Sequence, residues 1–367
     1  MITFVFGTRP EAIKLAPLIN LFVKEKAFKT RVISTGQHKD LIKDIINFFE
    51  IKIDNDLNLM KPDQKLSYLT SAIINSLEIE FSNYRPNMII VQGDTTSAFA
   101  AALSSFYLKI PIGHVEAGLR TDNLFEPYPE EANRRLISQI ADMHFAPTKR
   151  TYQNLKKNGI TKNVYITGNT VIDSLLYASN KVDKFNFFDF DIKNKKILLA
   201  TIHRRENWGD KLYDISKGIK KVLDNFPNTI LLLPMHPNEK VRGPIKKILE
   251  EHPQAFLLEP LSYEKLVFAL KICFLVITDS GGLQEEAPAL DKPVLVLRNI
   301  TERQEAIEAG SSKLLGTNSN AIFNGVKSLI MDKKAYSRMS SSINPFGEGD
   351  SSKKIFELIS KRFNIQN

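Results

Sequence analysis

The stretch Met1-Ile2-Thr3-Phe4-Val5-Phe6-Gly7-Thr8-Arg9-Pro10-Glu11-Ala12-Ile13-Lys14-Leu15-Ala16-Pro17 decides the fold class. Its apolar run Ile2–Phe6 reads as a short buried strand that stops at Gly7. Pro10 then stands where a first helical turn belongs, and Ile13, Ala16, Ile19 and Val23 recur at helical spacing. A strand that feeds a helix through a glycine turn leaves backbone N–H groups free at the helix start, which attracts anions, phosphates above all. Arg9 and Lys14 lie at that mouth. Taken alone, Gly-Thr-Arg-Pro is also ordinary punctuation between a strand and a helix, so the rest of the chain has to decide.

The same alternation continues outward. Strand-like runs Arg31–Thr35, Met88–Gln92, Ile110–Val115 and His144–Ala146 are separated by helical patterns such as Leu41–Phe49, Leu66–Asn83 and Thr96–Tyr107. After Leu176 the pattern changes, and residues 178–196 read as a polar surface excursion. A second series follows: strands Ile197–Thr201, Thr229–Leu233, Ala255–Leu258, Phe274–Thr278 and Pro293–Val296, with helices near Leu212–Asp224, Val241–Glu251, Tyr263–Leu270 and Gly282–Ala289. This order predicts an α/β protein of two Rossmann-like, doubly wound domains facing a cleft, with ligands at the carboxyl ends of the strands.

Bulk composition narrows the function classes. A chain of 367 residues exceeds one ordinary core, which makes two domains the expectation. The net charge of +9 comes from scattered lysines without interleaved aromatics, so nucleic acid is not an expected partner. Cys273 is the only cysteine and sits among Ile272, Phe274 and Leu275, which excludes an internal disulfide framework and reads as an inert buried thiol. No apolar run is long enough to span a bilayer, and the Ile2–Phe6 run is too short for a signal peptide. The expectation is a cytoplasmic protein with no membrane partner.

Polar clusters close the strands. Gln92-Gly93-Asp94-Thr95-Thr96, Gly113-His114-Val115-Glu116-Ala117-Gly118-Leu119-Arg120, His203-Arg204-Arg205-Glu206-Asn207, His236-Pro237-Asn238 and Asp279-Ser280-Gly281-Gly282-Leu283-Gln284-Glu285-Glu286 each follow an apolar run. One such cluster is turn chemistry; five on the same edge point to a binding site. Ser280-Gly281-Gly282 permits close backbone approach to an oxygen-rich ligand, and Glu286 lies a turn beyond, where a carboxylate can accept from ribose hydroxyls. Arg303 offers a further cation for a diphosphate. Neither a Walker loop nor a G-x-G-x-x-G fingerprint occurs, which argues against ATP hydrolysis and dinucleotide redox chemistry. Asp94, Glu116 and Glu130 are the candidate proton handlers, and His203 a candidate acid, base or donor. Glu130 and Glu131 also read as dipole partners of a helix start. No histidine has metal-ligand spacing, so no metal and no cofactor is expected.

With these residues assembled, the sequence resembles the non-hydrolysing UDP-N-acetylglucosamine 2-epimerases almost end to end. The resemblance rests on the motifs above together with Pro129-Glu130-Glu131-Ala132-Asn133-Arg134 and Gly168-Asn169-Thr170-Val171-Ile172-Asp173. It implies a GT-B-like pair of domains, 1–170 with 350–367 and 171–349, the last helix (near Lys353–Arg362) returning to the first domain, and a homodimer. The implied reaction interconverts UDP-GlcNAc and UDP-ManNAc by UDP elimination and re-addition through 2-acetamidoglucal, feeding bacterial surface polysaccharide. Carried over by motif, Arg9, Lys14, Ser280, Gly281, Gly282, Glu286 and Arg303 hold the nucleotide and diphosphate. Asp94, Glu116, Glu130 and His203 form the catalytic set, with Asp94 and Glu130 leading the proton transfers. Which acid removes the C2 proton and which returns one stays open. Gln37, His38, Gln64 and Glu131 match positions for a second UDP-GlcNAc acting as activator. The chain departs from relatives at Asp40, Leu261, Leu266, Asn299-Ile300 and Gln304. A 2-epimerase for another UDP-2-acetamido sugar and a GT-B glycosyltransferase are the alternative readings.

Overall fold

Short runs of two to six residues, most of them apolar, build two parallel sheets. In the first, β1 (Ile2–Phe6), β2 (Thr30–Ser34), β3 (Asn55–Asp56), β4 (Met88–Gln92), β5 (Ile112–Val115), β6 (Met143–Ala146) and β7 (Val164–Ile166) lie in the order β3-β2-β1-β4-β5-β6-β7. In the second, β8 (Lys196–Thr201), β9 (Thr229–Pro234), β10 (Ala255–Leu258), β11 (Leu275–Thr278), β12 (Val294–Val296) and β13 (Ser312–Leu314) lie in the order β10-β9-β8-β11-β12-β13. The computed structural model describes residues 1–37, 39–61, 64–182 and 194–365, with backbone alone at 39–41. Most of the expected excursion after 178 falls outside the described residues.

The chain divides into two units, Met1–Ser174 with Phe346–Asn367, and Leu175–Pro345. Helices α1 (Arg9–Glu25), α2 (Lys39–Phe49), α3 (Leu66–Asn83), α4 (Thr96–Tyr107), α5 (Glu130–Ile140) and α6 (Lys149–Lys157) belong to the first, and α7 (Thr170–Lys181) carries the chain into the second. There follow α8 (Asp210–Asn225), α9 (Glu239–Leu249), α10 (Tyr263–Ile272), α11 (Gly281–Glu286), α12 (Gln304–Glu308), α13 (Ser319–Met331) and α14 (Lys333–Ser340), and then α15 (Ser351–Arg362) in the first unit again. Every residue of β1, β4, β5 and β6 is buried, as happens when both faces of a parallel sheet are covered. The fold class is the expected one, two parallel α/β units.

Local chemistry explains the element ends. Thr95 caps α4 by accepting from the Ala98 amide at 3.0 Å, and Asn238 caps α9 through the Lys240 amide at 2.9 Å. The buried stripe of α1 is Ala12, Leu15, Ala16, Ile19 and Phe22, whereas Val23, expected on it, is 56% exposed. The tail helix returns through aromatic packing: Phe356 of α15 meets Phe22 of α1 edge-on, with ring centroids 4.8 Å apart. Asp173 receives the Ser352 amide at 2.8 Å and the Ser351 amide at 3.3 Å, and so holds the start of α15.

Two glycines of the first unit separate conformational need from spatial need. Both Gly118 (φ +95°) and Gly159 (φ +81°) are left-handed, but a Cβ on Gly118 would lie 2.2 Å from the Thr151 carbonyl oxygen while one on Gly159 meets nothing within 4 Å. Gly159→Ala is expected to cost about 1 kcal/mol and Gly118→Ala about 3 kcal/mol or more, read as the shift in urea midpoint at constant slope.

Candidate functional site

Each sheet reverses its winding between its two central strands, β1/β4 in the first and β8/β11 in the second, and open α/β sheets bind ligands there. In the first unit the loop after β1 begins at Gly7. Its φ is unexceptional; the need is for space, because a Cβ would fall 2.1 Å from Ser97 Oγ and 2.3 Å from Thr35 Oγ1. The start of α1 is not an open anion site. Glu11, buried, turns its carboxylate back on it: Oε2 accepts from the Gly7 amide at 3.2 Å, the Thr8 amide at 2.8 Å and the Thr8 hydroxyl at 2.7 Å. Oε1 accepts from the Thr95 hydroxyl across the reversal point at 2.9 Å. Burial lifts the Glu11 carboxyl to about 7 even though these donors pull the other way. The expected attraction of phosphate to the Gly7–Thr8 amides is therefore replaced by an internal carboxylate.

Across the reversal, Asp94 follows β4. Its Oδ2 meets Arg134 NH2 at 2.7 Å, and its side chain keeps 23% exposure. Burial raises its pKa, opposed by Arg134 and Lys14 and reinforced by Glu116 and Glu130, so these charges surround one carboxyl. The backbone of the turn is fixed too: Asn133 Nδ2 donates to the Asp94 carbonyl at 2.9 Å, and His114 Nε2 lies 2.7 Å from the Gly93 carbonyl. A carbonyl can only accept, which assigns the proton of His114 to Nε2. Glu116 has a left-handed backbone (φ +63°), a conformation that costs a non-glycine residue about 1 kcal/mol or more. Lys14 Nζ meets its Oε2 at 2.5 Å, and Gln92 Nε2 donates to the same oxygen. Glu130 opens α5, half-buried, with no side-chain partner among the described residues. Arg9, the first residue of α1, likewise has none.

Each described activator position has partners of its own. Glu131 is fully buried, with Oε2 accepting the Thr121 amide at 3.0 Å and Oε1 facing Arg135 Nε at 2.6 Å, so its carboxylate is filled from within the protein. Gln37 Oε1 accepts from Ser97 Oγ at 2.7 Å, and Gln64 Oε1 from the Lys61 amide at 3.0 Å. His38 lies outside the described residues.

In the second unit Asp279, fully buried after β11, reaches across to the loop after β8. It accepts from the amides of His203 at 3.1 Å and Arg204 at 2.9 Å, and from Asn207 Nδ2 at 3.0 Å. Burial pushes its pKa up, but the His203 side chain, the Arg204 amide and Asn207 outweigh that and hold it below the usual carboxylate range. His203 Nδ1 sits 3.1 Å from Asp279 Oδ1, and its side chain is 42% exposed, which leaves Nε2 turned away from the acid. Ser280, Gly281 and Gly282 start α11. A Cβ on Gly281 would meet Arg303 Cζ at 3.5 Å and Arg204 NH2 at 3.7 Å, and one on Gly282 would meet Glu286 Oε1 at 3.6 Å, all ordinary contacts. The fold does not require these glycines, and two guanidiniums converge on the space they leave. Arg303 is steered by Glu285 at 2.6 Å and by a chain from the Ser280 carbonyl through Gln284 and Thr301. Arg134, Gln92, Arg204, Asp279, Gln284 and Thr301 were not among the residues singled out from sequence, although Gln92, Arg204, Asp279 and Gln284 stand inside the quoted strand-end clusters.

Two such parallel units, with acids at one winding reversal and converging cations at the other, define a protein of the GT-B-like class. A family profile described as UDP-N-acetylglucosamine 2-epimerase matches residues 22–360, and the chain belongs to that family. A UDP-N-acetylglucosamine 2-epimerase of Neisseria meningitidis is 43% identical over 97% of this chain and 98% of its own, and one of Campylobacter jejuni 42% identical over 98% and 97%. The Neisseria meningitidis enzyme crystallised with UDP-GlcNAc superposes with a TM-score of 0.88 at 42% identity, covering 98% of this chain and 99% of that one. A Methanocaldococcus jannaschii epimerase in complex with UDP-GlcNAc and UDP matches at 30% identity and a TM-score of 0.79, covering 98% and 99%. Among the described residues no group of three His, Cys, Asp or Glu could hold a metal ion, and no helix is long and apolar enough to cross a membrane.

Two buried histidines beside the first site set its acid tolerance. Burial drops His114 to about 3 and His144, its neighbour in the β5–β6 pairing, to about 4. Both pKa values are depressed, so the unfolded chain binds protons first and stability falls as pH drops below about 6.5. Each contributes about 1.4 kcal/mol lost per pH unit between about 6.5 and its folded value, partly offset by Glu11, whose raised pKa favours the folded state as pH falls from about 7 to 4.5. Urea midpoints at pH 7.0 and 5.5 should therefore differ, and His144→Gln should narrow that gap.

Proposed function

We propose that the chain interconverts UDP-GlcNAc and UDP-ManNAc. The observation that carries this reading is Asp94, held by Arg134 at the first winding reversal with Glu116, Glu130 and Lys14 around it. Full-length membership of the epimerase family supports the substrate class. The C2 hydrogen of the sugar is not flanked by a carbonyl, so simple deprotonation is too costly. Loss of UDP from C1 with the C2 proton gives 2-acetamidoglucal, and re-addition with a proton delivered to the other face inverts C2.

The residues divide the work. Asp94 is partly open, and burial raises the pKa of its carboxyl against the pull of Arg134 and Lys14, so it suits one proton transfer. Glu130, without an internal partner among the described residues, suits the other. Glu116 is tied by Lys14 and Gln92 and better orients the sugar or shares a proton. Arg204 and Arg303, with the space at Gly281 and Gly282, hold the diphosphate, and His203, aligned by Asp279, stabilises the leaving phosphate or protonates it. Glu286 accepts from the ribose. The family resemblance supports three further parts of the proposal: a homodimer, a cytoplasmic place, and supply of a surface-polysaccharide precursor. It also supports a second UDP-GlcNAc as activator near Gln37 and Gln64; the filled carboxylate of Glu131 makes that residue a support of the pocket and not its lining.

Incubation with UDP-GlcNAc in D₂O, followed by proton NMR, tests the reading. UDP-ManNAc carrying deuterium at C2 is the expected product; free ManNAc with UDP, or product without deuterium, would overturn it. Asp94→Asn should lower exchange by about 100-fold or more. Gly281→Ala should fold normally and weaken UDP binding about tenfold, because its added Cβ fills the room beside Arg204 and Arg303.

A further inference from the structure

The hydrogen bonds of Glu11 go to Gly7, Thr8 and Thr95, so its carboxylate joins the loop after β1 to the loop that carries Asp94. On one side it closes the start of α1 through Gly7 and Thr8, and on the other it receives the Thr95 hydroxyl. That hydroxyl also accepts the Ala98 amide, so its hydrogen is left for Glu11 and its direction is determined. Thr95 is the residue after Asp94, and the same turn is gripped from the far side by Asn133 and His114. The Gly93 amide also donates to the Val115 carbonyl at 3.0 Å, so the turn is fixed along its backbone, and the Thr95–Glu11 bond adds the tie from the α1 side.

We infer that Glu11 is a positioning residue for Asp94, acting through the Thr95 hydroxyl to fix the angle at which the Asp94 carboxyl meets the sugar C2. The inference rests on Asp94 acting in proton transfer as proposed above. Displacement of a reacting group by a fraction of an ångström costs rate far more than binding. The bond should therefore show itself in kcat while UDP-GlcNAc, held mainly through its nucleotide, keeps its KM.

The test measures kcat and KM for UDP-GlcNAc, C2 deuterium exchange and melting temperature in Thr95→Val, Thr95→Ser, Glu11→Gln, the double variant Glu11→Gln/Thr95→Val, and Asp94→Asn. Thr95→Val, which deletes the donor, should lower kcat and exchange about 10- to 100-fold with KM within about twofold, and Thr95→Ser should restore most of the rate. Glu11→Gln offers Thr95 an N–H in place of an acceptor and should also lower kcat. The double variant should be no slower than the slower single variant, because both changes cut one link. Normal kcat in folded Thr95→Val, or a double variant whose loss multiplies the two singles, overturns the inference. If Thr95→Val does not fold, Glu11→Gln decides alone, and an unchanged kcat there overturns it. Asp94→Asn separates the levels. An inactive Asp94→Asn beside a normal Thr95→Val sinks only the role of Glu11, whereas normal exchange in Asp94→Asn sinks the reading of Asp94 and this inference with it.

Discussion

Between β1 and β4 in the first sheet, and between β8 and β11 in the second, the winding of the chain reverses and a carboxylate spans the gap. The cause lies in the sheets. Strands buried on both faces leave polar groups only at their ends, and where neighbouring connections part company the loop amides lose backbone partners. Glu11 supplies acceptors in one unit and Asp279 in the other. Their surroundings give them opposite character. Glu11 meets only amides and hydroxyls, so burial dominates and lifts it to about 7. Asp279 faces a histidine as well, and stays below its ordinary range although its own burial pushes the other way. One serves as a neutral-donor clamp and the other as the fixed anion that aims an imidazole.

The same logic grades the acids around the first site. Asp94 balances Arg134 against burial and two carboxylates, Glu116 is neutralised by Lys14, and Glu131 is consumed by Thr121 and the arginines behind it. Acids of similar intrinsic strength thereby acquire different duties without any metal ligand set among the described residues. The left-handed backbone of Glu116 fits this picture. A chain accepts such a conformation where the side chain must face a fixed partner, and here the partner is Lys14 one helical turn into α1.

Much of this was legible in the residues and some was not. The βα order, the strand-end clusters and the central strands follow from apolar runs too dense to be anything else. Edge strands β3, β7 and β13 have two or three residues, too few to show a period, and only their pairing reveals them. Asp94, Glu116 and Lys14 could be named because they end strands or open a helix; that Lys14 is already spoken for by Glu116 depends on a left-handed turn which no residue type announces. Glu131 stood out by its motif, and its pairing with Arg135 follows from i,i+4 spacing on α5, but the Thr121 amide that fills its other oxygen comes from a loop ten residues back, an approach that no local pattern encodes. Glu11 was visible as a first-turn acid three residues after Thr8, the spacing of a capping box, and that spacing could have warned that the anion seat was taken.

The packing of α15 on α1, latched by Asp173 to the Ser351 and Ser352 amides, has a consequence for the order of events on the ribosome. The first unit cannot close its own core until residues beyond 345 have left the exit tunnel, whereas the second unit, residues 175–345, has all its strands by then. The usual head-first order of domain completion is therefore reversed. During synthesis the face of α1 that carries Phe22 waits uncovered, a target for chaperones, and a stop codon anywhere before Phe356 strands it in that state.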